Sequence, residues 1–239
     1  MVRVTHPDPA PATPATADAP ASSPGLIRLA GAGAILFAVG AATANVLVLD
    51  PPAWDASGAQ VGTWVHDHHT ALVAAVAVFP LAMIALALFV AGLLRCAHRS
   101  PEPDASTLAT VGAFGVVMIG AFFGTVEIAR LVLLAFDGST SAGAGVVELA
   151  YHLEAGAFAL NLAAVGIALV GVAGAAVRSD LAPSWYWPVS LVGLVCGLAA
   201  AVQAPAMVNG ASGWQIGFVT FVAWLVLLVV VGTRMIRRA

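Results

Sequence analysis

Lysine is absent from this chain, and acidic and basic residues together make up only 9% of it. Soluble domains carry about 25% charged residues, so a fully solvated surface is excluded. The nine basic residues are all arginine and form no basic stripe, so no nucleic-acid partner is expected. Cysteine is almost missing: Cys96 and Cys196 fall at different expected depths, which excludes a disulfide framework. There is no glycine-rich phosphate loop, no cysteine-pair zinc motif and no nucleophile elbow. No internal repeat is visible, which leaves an inverted-repeat transporter architecture without support.

What remains is apolar. Of the 239 residues, 61% are hydrophobic and the mean hydropathy is +0.98. The apolar stretches are continuous instead of alternating, which favours helices over the strands of a barrel. Six runs, at about 26–49, 70–94, 108–136, 146–177, 185–208 and 214–236, each provide the roughly 20 residues that a bilayer crossing needs. The fold class expected is all-α, a polytopic six-helix transmembrane bundle forming one domain over residues 26–239. The first 25 residues, rich in proline and alanine, read as a disordered tail and not as a signal peptide. Pro80 lies near the middle of the second run, where it removes a backbone donor and is expected to bend the helix. Gly120 with Gly124, and Gly193 with Gly197, sit at the four-residue spacing that lets helices approach closely.

Arginine placement fixes an expected orientation. Arg3, Arg28, Arg95, Arg99, Arg178, Arg234, Arg237 and Arg238 fall on one side of the six runs, and the alternate loops carry none. The positive-inside rule then puts both termini in the cytoplasm. Trp185, Tyr186 and Trp187 fit the inner interface, and Trp214 the outer one. Exclusive use of arginine, with abundant Ala, Gly and Val, is the codon bias of a GC-rich bacterial genome, and a multi-pass protein of the bacterial cytoplasmic membrane is expected.

Arg130 is the one arginine set well inside a run, away from its ends, and it defines the candidate site. Glu127 lies three residues before it on the same helix face, and the following run carries Glu148, His152, Glu154 and Asn161. At about 1.5 Å per residue, Glu127, Arg130, His152 and Glu154 lie roughly 8 to 13 Å below the outer surface, in one layer. Ionisable groups at such depth face protein, water or each other. Two readings of Glu127 and Arg130 follow: they satisfy each other, or Arg130 faces a cavity as an anion clamp that Glu127 orients. Glu148 and His152 share one face of their helix, while Glu154 and Asn161 share another turned by roughly 150°. That helix is therefore expected to be central. Asn161 is read either as an interhelical hydrogen-bonding group or as a deep ligand contact. Protonation of His152 beside Glu148 is expected to alter the charge of the layer.

Further polar residues, Asn45, Asp50, Gln203, Asn209 and Gln215, cluster toward the same outer half. An outward-facing pocket is expected, lined by Glu127, Arg130, Glu148, His152, Glu154 and Asn161, which binds a small polar solute, ion or lipid headgroup for transport or sensing. No cofactor is expected. The alternative is a metal-dependent hydrolase or lipid-modifying enzyme of the outer leaflet. Its zinc or other divalent transition metal would be held by His66, His69 and His152, with Glu148 or Glu154 as general base. The His66 to His69 cluster reads equally as an interfacial cap, with Asp67 near a helix N-terminus, and haem on His152 with His68 or His69 is the remotest option. The last alternative is a structural or assembly subunit whose charges pair internally.

Overall fold

The computed structural model describes residues 24–48, 50–136 and 143–239. The expected tail, apart from Pro24 and Gly25, lies outside the described residues, as do residues 137–142. Among the described residues eight α-helices run in order: α1 (Pro24–Leu47), α2 (Gly58–Asp67), α3 (His69–His98), α4 (Ala105–Ala135), α5 (Ala144–Arg178), α6 (Tyr186–Val202), α7 (Ala204–Val208) and α8 (Phe218–Arg238), with a 3-10 turn at Gly213–Gly217 before the last. No strand occurs among the described residues. The described residues form an all-helical fold, and five of their helices are long and apolar enough to cross a membrane: α1, α3, α4, α5, and α8 taken with its preceding turn. Leu36, Leu81, Phe114, Leu149 and Val195 stand exposed on the outside of the bundle. An apolar surface of this kind marks a lipid or protein contact, not a solvated face.

The apolar run at 185–208 does not form one helix. α6 ends at Val202 after 17 residues, and Gln203 separates it from the five-residue α7. Pro205 explains the break, because it has no N–H to continue the α6 ladder and tolerates only the first turn of a new helix. Gln203 caps the corner by reaching the Gly213 carbonyl at 3.3 Å. The first helix starts at Pro24, two residues earlier than the apolar run, since proline suits a first turn. α3 is continuous through Pro80. Residues ahead of it, read as a loop, form α2, opened by a capping box in which Ser57 and Gln60 satisfy each other's backbone groups.

α5 is the central element: 72% of its most apolar stretch is buried, against 22 to 39% for the other long helices. Its most extensive packing is against α4. A Cβ on Gly171 would collide with the backbone of Gly112, and one on Gly115 with the backbone of Ala168. Of the glycine pairs picked out by spacing, Gly193 and Gly197 do pack closely, against Leu169 and the Leu162 carbonyl. Gly120 meets Met83, and Gly124 has nothing within 4 Å. At the edge of the bundle, Gly31 of α1 abuts Gly232 of α8, so the start of α1 and the end of α8 lie at the same end.

Candidate functional site

Arg130 lies near the C-terminal end of α4, and Glu127 one turn before it. The close α4–α5 packing set by Gly112 and Gly171 brings the N-terminal part of α5 alongside this turn. Arg130 Nε donates to Glu154 Oε1 at 2.8 Å and Arg130 Nη1 donates to Glu127 Oε1 at 3.0 Å. All three residues are buried. The Phe123 ring lies 5.9 Å from the guanidinium carbon and covers the cluster from within. Two carboxylates thus engage one guanidinium, and the second oxygen of Glu127 has no hydrogen-bond partner in the protein.

A cavity of about 190 Å³ opens above this cluster. Arg130 and Glu154 form its polar floor, Asn45 and Asp50 stand on one side, and aromatic rings supply most of the remaining wall. Trp54 lies against Tyr151 with ring centroids 4.8 Å apart, and meets Trp214 edge-on at 6.2 Å. Trp214 in turn meets Phe158 at 5.7 Å and Phe218 at 5.4 Å. Trp64 of α2 completes the wall, with His68 stacked on it at 5.0 Å. The Tyr151 hydroxyl donates to the Pro52 carbonyl, which ties the segment carrying Trp54 to α5. Asp50 adopts a left-handed backbone (φ 58°), reversing the chain after α1 so that Pro51 and Trp54 turn over the cavity.

The residues singled out from sequence divide into two sets. Glu127, Arg130 and Glu154 come together, and Arg130 and Glu154 reach the cavity. Asn161 lies deeper, on the same face of α5. It lines a smaller hollow of about 40 Å³ with Phe37, Phe79, Phe123 and Trp224, and Asn45 borders both spaces. Asn161 Oδ1 and Trp224 Nε1 are buried without a hydrogen-bond partner. Asn161 Oδ1 therefore makes no interhelical bond.

Glu148 and His152 belong to the other face of α5. Glu148 is exposed and His152 half-buried, and neither lines the cavity. No ion pair joins them. His66 and His69 do not share a helix, because the chain turns at His68, which ends α2 and precedes α3; both are exposed. Among the described residues no group of three His, Cys, Asp or Glu side chains is placed to hold a metal. Gln203 and Asn209 serve the α6–α7 corner, with Asn209 donating to the Pro205 carbonyl at 2.8 Å. Cys96 and Cys196 are free thiols.

Sequence reasoning missed the aromatic wall. Trp54, Trp64 and Tyr151 belong to no motif, and Trp214 reads from sequence only as an interface anchor. A signal was present: Tyr151 is three residues from Glu154 and shares its helix face. A second unforeseen space, about 570 Å³, lies at the opposite end of the bundle between the ends of α3, α5 and α8, lined by Arg99, Arg178 and Arg238 together with Glu102 and Asp180. No family model, curated protein or solved structure matches this chain.

Proposed function

We propose that the chain is a six-span protein of the bacterial cytoplasmic membrane, with both termini inside and an outward-facing pocket that binds a small solute, for transport or sensing. The arrangement of Arg130 and Glu154 at the floor of a 190 Å³ cavity carries this reading. Ionisable groups at membrane depth face protein, water or one another, and Arg130 and Glu154 border a cavity with aromatic walls in addition to pairing with each other.

α6 and α7 together make the fifth span. The 17 residues of α6 rise about 26 Å, short of the roughly 30 Å hydrocarbon core, and α7 covers the remainder. Arg95, Arg99, Arg178, Arg234, Arg237 and Arg238 gather at the end away from the cavity, which supports a cytoplasmic assignment for that end. The volume favours a ligand smaller than a drug-sized molecule, whose sites start at about 300 Å³. Among the described residues the deeper hollow is mostly apolar, with Phe37, Phe79, Phe123 and Phe221 in its wall and Asn45 and Asn161 as its polar members. Transport therefore requires a rearrangement of α1 and α3 against α5, and sensing does not.

The test is thermal stabilisation of purified protein by a panel of small cations, anions and neutral solutes. At least one should raise the unfolding temperature in wild type but not in a Glu154→Gln variant. An identical response of the two proteins to every member would overturn the reading. The metal-enzyme alternative has no supporting geometry among the described residues; stoichiometric zinc in purified protein would revive it.

A further inference from the structure

We infer that the outer cavity is a site for a small organic cation, of the alkylammonium or quaternary ammonium class. The inference rests on the pocket reading above and assigns the ligand's chemistry.

Charge is the first argument. An arginine at a cavity floor ordinarily points to an anionic ligand, but the Arg130 guanidinium is already engaged by Glu154 at 2.8 Å and by Glu127 at 3.0 Å. Two carboxyl groups share that one guanidinium, so the cluster has no positive charge to spare. Asp50 adds a carboxylate at the cavity side, and among the described residues no second basic residue lines the space. An incoming anion would compete with two buried carboxylates for one guanidinium and meet Asp50 at the entrance. A cation meets attraction at both levels. It also needs no proton transfer to be held.

The wall supplies the second argument. Trp54, Trp64, Tyr151, Phe158, Trp214 and Phe218 present indole and phenyl groups around the space. The negative faces of such rings attract a positive charge, most strongly when water is excluded, and trimethylammonium groups are held in this way. An inorganic cation is disfavoured by the same wall. Calcium demands six to eight oxygen ligands and magnesium an octahedron of them, whereas among the described residues the lining offers carboxylates only at Asp50 and Glu154. A bulky, weakly hydrated ammonium group needs no such shell. Volume agrees: about 190 Å³ admits a compact ammonium group.

The experiment measures binding of choline and tetramethylammonium to the full-length protein in detergent, beside 3,3-dimethyl-1-butanol, the neutral carbon analogue of choline, and acetate. Choline should bind, and the neutral analogue should bind at least about tenfold more weakly, as expected for cation–aromatic attraction in a desolvated site. Trp54→Ala and Trp214→Ala should each weaken choline binding severalfold. Trp54→Phe, which keeps a ring, should retain it and replaces Trp54→Ala if that variant does not fold. Equal binding of choline and its neutral analogue, or binding of acetate alone, would overturn the cation assignment while leaving the pocket intact. If none of the four compounds binds and the broader panel also leaves wild type and Glu154→Gln alike, the assignment and the pocket reading fail together.

Discussion

Arg130 of α4 and Glu154 of α5 meet through a single charge-assisted hydrogen bond of 2.8 Å, made between residues 24 positions apart in the chain. Glu127, Arg130 and Glu154 are gathered at this contact, while Glu148 and His152 stand on the other face of α5. It joins the two most closely packed helices, closes the floor of the cavity and leaves Glu127 to balance the other arm of the guanidinium. A short, buried ion pair is costly to assemble and more costly to break on one side only.

Removing one partner should therefore be worse than removing the whole cluster. Arg130→Met leaves two buried carboxylates unpaired and should cost about 3 to 5 kcal/mol. The triple variant Glu127→Leu, Arg130→Met, Glu154→Leu should recover most of that loss. Reversible unfolding in mixed detergent micelles measures both; a triple variant no more stable than Arg130→Met would contradict the pairing.

The α4–α5 contact depends on absent side chains. Gly171→Val drives Cβ into the Gly112 backbone and should destabilise by about 1 to 3 kcal/mol or more, the usual cost of overpacking. Gly124→Ala meets nothing within 4 Å and should be close to neutral. The same unfolding assay, run on both, separates a packing glycine from an incidental one.

Tyr151→Phe removes only the hydroxyl that holds the Pro52 carbonyl. Stability should fall by about 1 kcal/mol, and limited proteolysis between residues 50 and 57 should quicken as the Trp54 segment loosens. Unchanged cleavage would show that ring stacking on Trp54 suffices to hold the segment.

Orientation is open to labelling. In a variant lacking Cys96 and Cys196, Asp55→Cys should react with a membrane-impermeant thiol reagent on intact cells, and Arg237→Cys only after permeabilisation. The reverse pattern would invert the proposed topology.

Much of this architecture is legible in the sequence, and the reasons for the rest are physical. Long apolar runs with continuous hydropathy announce helices, and the i, i+3 spacing of Glu127 and Arg130 announces their pairing. The break after α6 is a local effect of Pro205, visible only once Gln203 is seen to cap the corner. The division between Glu154, turned inward, and Glu148, turned outward, depends on which face of α5 meets α4. Glycines at 112 and 171 decide that contact, and their partnership across two helices leaves no periodic trace. The aromatic wall is assembled from the 50–57 segment, α2, α5 and the turn before α8, so no single stretch displays it. His66 and His69 illustrate the converse error: three residues apart, they would share a face of one helix, but His68 breaks the helix between them.

The central claim is that the space above Arg130 and Glu154 opens to the outside and no deeper. Its most direct test is thiol labelling, in the cysteine-free background, of Phe158→Cys in the outer cavity and Phe79→Cys in the lower hollow. An impermeant reagent applied from outside should modify the cysteine at 158 and leave the one at 79 unreacted. Protection at 158, or equal reaction at both, would contradict the account.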